Sequence, residues 1–465
     1  MSVDVEALFT KALGLVAPWQ VEQVELDTAK RRIDFHLVCN EKRLDCPACH
    51  AIEQGIHDRL EREWRHLDFF QFEAYLHAKV PRVRCLECGK TLQAEVPWAR
   101  PGSNFTLLFE ALALSLCKDL PVLQAANLLR CVDKKIWRFI NHYVPQARKL
   151  DDMSEVKNIG IDETSLHKGH SYITVVHDLQ EKRLLFATEG KDHETVVRFA
   201  KDLKEHGGNP EQIEHVCQDM SAAFAKGVAE ALPKAEICYD RFHIAAMAGE
   251  AMQEVHRSEI KTNVESIEEA LGEDPKVLKN LRWGMLKDPS EWNQKQTAAM
   301  HKLQRTTLKS ARAWRLKMDL RRVYNNALVS NDKQQAQAEL KGWLSWAKRS
   351  RLEPFKKLAV TLQGKFDAVV RGMLDHRNNA YVEAMNGLLQ QAKRAARGYR
   401  DAGNFISIAY LRMSKLKHIP NNPLELAAPL TIPNGSTGVL IHLSLIHISE
   451  PTRRTPISYA VFCLK

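Results

Sequence analysis

The chain has 465 residues, 45% hydrophobic and 27% charged, and carries a net charge of +10. That length accommodates roughly two to four globular domains, and the cationic excess favours a polyanionic partner. No apolar run approaches the ~18 residues of a membrane span and the start, MSVDVEALFTKALGL, lacks a signal peptide's layout, which excludes a membrane partner and predicts a cytoplasmic, nucleoid-associated protein.

The first organised feature is a pair of CxxC turns, Cys46-Pro-Ala-Cys49 and Cys85-Leu-Glu-Cys88. Nine of the ten cysteines precede residue 240, and in a reducing compartment such pairs read as metal ligands before disulfides. Each turn offers two thiolates, and four satisfy tetrahedral structural Zn²⁺. Alternation around Phe70, Phe72, Ala74, Leu76 and Ala78 predicts a strand between the knuckles, hence a ribbon. His50 reads as a bystander.

Helical spacing then takes over at Leu107, Leu108, Ala111, Leu112 and Leu116 and breaks at Leu120-Pro121. It resumes at Val122, Ala125, Ala126 and Leu129, and again at Ile136, Trp137 and Ile140 after a tight connection. Two short helices joined in this way predict a helix-turn-helix, with Lys134, Lys135 and Arg138 as DNA contacts. A plain three-helix bundle has the same pattern.

From Asn158 the period becomes that of strands: NIGIDE, YITVVHD, RLLFAT, then a helix at about Asp192–Glu205, HVCQD, a helix capped by Ser221, and EICYD. The expected fold class is α/β, a mixed sheet with helices packed on it. Asp162 and Asp219 are each placed at the carboxyl end of a strand, where open sheets gather ligands. Neighbouring acids repel unless a cation lies between them, and hard Mg²⁺ prefers carboxylate oxygens. Glu163, Asp178 and Asp240 are rival acids. Glu163 should face the other side of its strand, and a lone strand-end Asp is usually a turn residue.

The stretch Asn378–Arg400, NNAYVEAMNGLLQQAKRAARGYR, predicts a helix headed by Glu383. One stripe holds Glu383, Asn386, Gln390, Arg394 and Arg397, and an apolar stripe holds Val382, Met385, Leu389, Ala392, Ala396 and Tyr399. Glu383 completes an acid set with Asp162 and Asp219, able to hold two Mg²⁺ ions for phosphoryl transfer. Lys393, Arg394, Arg397 and Arg400 form a candidate phosphate track; a solvated basic face is the plainer reading.

The two knuckles, Trp64-Arg65-His66-Leu67-Asp68, IGIDET (159–164), CQDMSAAF (217–224), YDRFHI (239–244) and VEAMNGLLQQAKRAARGYR (382–400) together resemble a bacterial insertion-sequence transposase of the ISL3 family, from near the amino terminus to about residue 425. The resemblance implies a zinc-binding domain, a helix-turn-helix and an RNase H-like DDE domain whose acids match Asp162, Asp219 and Glu383. It also implies that Asp240 and His243 form a D-x-x-H element, with His243 helping to order the site. The long gap before Glu383 is then an all-α insertion. Its tryptophans (283, 292, 314, 343, 346) and its cations Arg305, Lys309, Arg312, Arg315, Lys317, Arg321 and Arg322 would make a DNA platform or, alternatively, an ordinary helical bundle. Partners implied are double-stranded DNA, as terminal inverted repeats and target, and further copies of the chain on paired ends. A catalytically inactive zinc and helix-turn-helix regulator derived from a transposase is the alternative, and a plain RNase H-type nuclease a third.

The expected domains are 1–100 (zinc ribbon), 103–147 (helix-turn-helix), 155–245 and 373–420 (catalytic core) and 246–372 (helical insertion), with 421–442 unassigned. The segment 443–465, LSLIHISEPTRRTPISYAVFCLK, resembles the translation of a sequencing-library adaptor, so Cys463 is not counted as a functional thiol.

Overall fold

Alternation of apolar and polar residues builds the first layer. In the computed structural model, which describes residues 4–167, 171–262, 264–271, 275–374 and 380–424, helix α1 (Val5–Ala12) leads into β1 (Trp19–Asp27), β2 (Arg32–Cys39), β3 (Arg43–Leu44), β4 (Gln54–Arg65), β5 (Glu73–Arg84) and β6 (Thr91–Gln93). The segment 443–465 and most of 421–442 lie outside the described residues. The sheet order is β1-β2-β5-β4-β3, with β6 on β5. Ala74, Leu76, Ala78 and Val80 of β5 enter a core with Trp19, Phe35, Trp64 and Trp98. Phe70, expected in this strand, instead sits in the β4–β5 turn at φ 51° and is 81% exposed. The reason is pairing: β5 finds β2 only from Glu73, opposite Arg32.

Three helices follow: α2 (Leu107–Asp119), α3 (Val122–Leu128) and α4 (Asp133–Lys149). Thr106 caps the first by accepting the Phe109 N–H. Pro121, without an N–H, separates α2 from α3.

The second sheet comprises β7 (Asn158–Ser165), β8 (Tyr172–Asp178), β9 (Arg183–Glu189), β10 (His215–Gln218) and β11 (Glu236–Tyr239), with α5 (His193–Glu205) and α6 (Ala222–Ala231) between them. Its order is β11-β10-β7-β8-β9. The first three strands are antiparallel, and β10 and β11 run parallel to β7. This is the mixed sheet expected of an RNase H-like domain. Ile159, Ile161 and Val176 face α5 and α6 across Phe199 and Phe224.

The opposite face carries a surprise for a multidomain reading. Val175, Leu184 and Ala187 share one core with Ile136 and Phe139 of the helix-turn-helix and with Leu389, Phe405 and Ile408. The last three belong to α15 (Ala380–Ala395) and α16 (Ala402–Met413), which return after the insertion. The helix-turn-helix therefore packs on the sheet domain rather than swinging beside it.

The insertion is helical among its described residues: α7 (Arg241–Thr262), α8 (Val264–Leu271), α9 (Pro275–Leu286), α10 (Gln294–Gln304), α11 (Lys309–Ser330), α12 (Lys333–Arg349), α13 (Glu353–Gly364) and α14 (Phe366–Leu374). It leaves from β11 and closes back on it. Arg371 Nε donates to Ile237 O at 3.0 Å, satisfying an acceptor of this edge strand. Gly372 permits the approach, since a Cβ there would lie 2.1 Å from Tyr239 O. Alanine gains about 1 kcal/mol in helix preference, but displacing a backbone carbonyl costs more. Gly372→Ala is expected to destabilise the fold by on the order of 2 kcal/mol, read as a lower urea midpoint at unchanged slope.

Candidate active site and metal centre

The two knuckles converge as their spacing requires. Cys46, Cys49, Cys85 and Cys88 place their Sγ atoms within 4.8 Å of one another. Each turn is closed the same way: His50 N donates to Cys46 O at 3.0 Å and Gly89 N to Cys85 O at 3.1 Å. Both His50 (φ 60°) and Gly89 (φ 69°) are left-handed, so His50 is a turn residue with an exposed side chain. The backbone N–H groups of Cys49 and Ala48 pull the Cys46 thiol down to about 6. Four convergent sulfurs, two from each turn, fit tetrahedral zinc.

The Trp64–Asp68 motif joins this ribbon to the helical reader. Arg65 is buried, donates to His66 O at 2.6 Å and to the Asp68 carboxylate, and lies near the Tyr75 and Phe109 rings. Asp68 also accepts from Arg130, which occupies the left-handed turn (φ 52°) between α3 and α4. His66 Nδ1 bonds Thr106 Oγ1 at 3.0 Å, and burial holds the imidazole neutral, down to about 4. At the start of α4, Lys134 and Arg138 are exposed and Lys135 is half-buried, its Nζ 6.0 Å from the Phe105 ring centroid.

The acids meet at a step in the second sheet. β10 stops at Gln218, level with Ile161 of β7, so Asp219 and Asp162 emerge side by side. Asp162 does not end its strand as expected. β7 continues to Ser165 because β8 still pairs it through Tyr172. Asp162 is buried; its Oδ1 accepts from Glu163 N at 2.7 Å and its Oδ2 from Asn386 Nδ2 at 2.5 Å. Burial pushes its carboxyl up to about 6, with the Asp219 charge adding to the rise and the Glu163 N–H and His243 opposing it. Glu163 is also raised, by burial and then by Asp219, while Lys191 and His243 oppose. It therefore stays within the field of the site. His243 stands one turn into α7, its Nε2 3.9 Å from Asp240 Oδ2. Asp178 is a turn residue, accepting from Gln180 N at 2.8 Å, and Asp240 accepts from Phe242 N at 3.1 Å at the head of α7. A buried carboxylate whose proton affinity is raised by burial and by its acidic neighbour Asp219, with an amide alongside, belongs to a hard oxygen donor set suited to Mg²⁺.

α15 lies along β7 on its polar stripe. Asn386 meets Asp162, Gln390 Nε2 reaches Ser165 O at 3.0 Å, and Lys393 Nζ reaches the same carbonyl at 2.6 Å. Glu383 is on this helix one turn before Asn386; its side chain, like Asn378, lies outside the described residues. The apolar stripe is buried at Val382, Leu389, Ala392 and Tyr399. The helix is shorter than expected. It ends at Ala395, and Arg397 (φ 58°) and Gly398 (φ 96°) turn the chain, with Gly398 N donating to Lys393 O at 2.8 Å. Arg397 thus leaves the stripe, and Arg400 lies beyond the helix. Gly398 after basic residues was the legible stop signal. Arg394, Arg397 and Arg400 remain exposed, whereas the Lys393 ammonium is committed to Ser165.

Five of the seven cations singled out in the sequence make contacts within the insertion. Lys317 donates to Met285 O at 2.8 Å, Arg315 to Gln304 O at 2.6 Å and Arg312 to Ser350 O at 3.3 Å. Arg321 pairs with Asp288, and Arg322 with Asp319 and Glu339. Trp343 is buried and bonds Leu316 O, and Trp292 bonds Gly284 O. These contacts hold a bundle together, while Arg305, Lys309, Arg315, Arg321 and Arg322 all keep exposed side chains. A packed helical bundle and an exposed cationic surface therefore coexist in this segment.

Comparison with known proteins gives three family matches. Residues 159–409 match the ISL3-type DDE family described as "Transposase". Residues 42–88 match the zinc finger of the transposases of IS204, IS1001, IS1096 and IS1165, and residues 94–144 the helix-turn-helix domain of transposase family ISL3. The chain is 30% identical over 385 residues to the transposase for insertion sequence element IS1557 of Mycobacterium tuberculosis, covering 78% of this chain and 83% of the relative. It is 25% identical over 412 residues to the transposase for IS1001 of Bordetella parapertussis, covering 85% and 96% respectively.

Proposed function

The chain belongs to the ISL3 family of transposases, and from that premise we propose that it cleaves DNA at insertion-sequence ends and transfers the freed strand to a target, using Mg²⁺ held by Asp162, Asp219 and Glu383. The observation that supports this most is the register of the second sheet. It sets Asp162 beside Asp219 and, through the Asn386 contact, lays the helix of Glu383 against them.

Two Mg²⁺ ions, when bound, would activate water and then a 3′-hydroxyl for in-line attack and stabilise the leaving oxygen. The chain's own part is placement. Asn386 orients Asp162 through Oδ2, the Glu163 N–H fixes Oδ1, and the Ser221 N–H fixes Asp219 at 3.0 Å. His243 adds a donor beside the acids that helps order them. Lys134, Lys135 and Arg138 would meet the terminal repeat, and Arg394, Arg397 and Arg400 the backbone of the cut strand. Paired ends imply that two or more copies act together.

The protein supplied with a duplex carrying its element's terminal inverted repeat and Mg²⁺ should nick at the repeat boundary. A scrambled duplex should stay intact, and EDTA should stop the reaction. Binding without nicking would select the inactive regulator, and nicking without preference for ends would select a plain nuclease.

A further inference from the structure

The insertion returns to the sheet at its acid end and brings a lysine with it. Lys365 occupies the break between α13 and α14, at φ −125° and ψ 27°. Its Nζ donates to Met220 O at 2.7 Å and stands 4.7 Å from the Tyr239 ring centroid. Met220 follows Asp219 directly, in the turn closed by the Ser221 N–H on Asp219 Oδ1. Its side chain packs against the insertion's own core. The turn that carries Asp219 is therefore gripped from the insertion by an ammonium on its carbonyl and by apolar contact on its side chain. The ammonium is half-buried, and the Asp219 charge opposes the effect of that burial.

We propose that Lys365 is a positioning residue, fixing the Asp219 turn against the helical insertion so that Asp219 and Asp162 face a divalent cation together. The proposal rests on the reading of Asp219 as a metal ligand. Electrostatics gives it a distinctive sign. A lysine that merely sits near a cation site repels the cation, so its removal should tighten binding. A lysine that orients a ligand does the reverse, because losing an outer partner of a metal ligand weakens the site.

The test uses the full-length, zinc-loaded protein and Mn²⁺ alone as the probe, followed by electron paramagnetic resonance without DNA. Lys365→Met keeps the stem and removes the donor, and Lys365→Arg keeps a donor; Lys365→Gln replaces the first should it fail to fold. Lys365→Met should bind Mn²⁺ about 10-fold to 100-fold more weakly and lose end cleavage by a similar factor at limiting Mg²⁺, with recovery at high Mg²⁺. Affinity for the terminal-repeat duplex should not change, and Lys365→Arg should restore most of both losses. Equal or tighter Mn²⁺ binding in Lys365→Met would overturn the positioning role alone. Absence of Mn²⁺ binding in the wild-type protein would overturn the metal site, and with it the role of Lys365.

Discussion

Asp219→Asn is expected to lower the rate of end cleavage by at least about 1,000-fold, roughly 4 kcal/mol of transition-state stabilisation, while leaving terminal-repeat binding unchanged. Asn keeps the shape and one acceptor of Asp219 but removes the charge that a divalent cation needs. The helix-turn-helix does not depend on that charge, so binding and cleavage should separate. Glu383→Gln should behave in the same way. Asp162→Asn adds a second, opposite effect. Burial raises the Asp162 carboxyl from its ordinary 3.8 to about 6, so the metal-free fold is favoured by protonation. That contribution is fully present below about 3.8, fades as pH rises through 6, and leaves the ionised group costing on the order of 3 kcal/mol at neutral pH. Removing the charge should therefore raise the melting temperature at pH 8 in EDTA while abolishing cleavage. Near-wild-type cleavage in Asp219→Asn and Glu383→Gln would sink the assignment, and a lower melting temperature for Asp162→Asn would contradict the electrostatic account of the site.

That opposition between stability and activity explains which parts of the protein were legible in its sequence. The knuckles were readable because a metal demands fixed ligands at fixed spacing, and the four sulfurs converge as that spacing requires. Strand periodicity located all five strands of the second sheet, and the apolar stripe from Val382 to Tyr399 marked the docking face of α15. Local pattern could not say where β7 ends. The partner strand decides that, and β8 carries the pairing past Asp162. Nor could pattern reveal which cations are free. Lys393 and Lys317 look like solvent-facing charges by composition, yet each is committed to a carbonyl distant in sequence.

The same limit hid Lys365 and Arg130, whose roles are long-range contacts rather than motifs. It also hid the shared core of the helix-turn-helix and the catalytic sheet, because Ile136 and Val175 are apolar in any arrangement. That shared core bears on function. A reader anchored to the sheet through α4 and to the ribbon through Arg130 holds its recognition helix at a fixed place relative to Asp162. In the proposed reaction, the distance from the bound repeat to the cut would then be set by the fold.

Removal of zinc should expose how unequally the ribbon is stabilised. The four cysteines enclose almost no apolar core, only Cys46, Ala51 and Cys85 with Cys88 packed beside them. The large side chains of the two tips point outward, with Ile52 73% and Leu86 86% exposed. Nothing there replaces a structural zinc, which contributes about 10–16 kcal/mol in isolated fingers. The adjoining sheet is different: Trp19, Phe35, Trp64, Leu76 and Trp98 form a continuous core that does not involve the metal. Cys85→Ser, or a strong chelator, should therefore melt the two knuckle turns and leave the sheet standing. The wild-type protein should carry one zinc per chain by elemental analysis and Cys85→Ser almost none. Amide exchange should rise to near unfolded rates at the Cys46–Ala51 and Cys85–Lys90 turns while β2 and β5 stay protected. Protection of both turns after complete loss of zinc would show that packing, and not the metal, holds them. Collapse of β5 protection as well would show that the sheet depends on the metal despite its separate core.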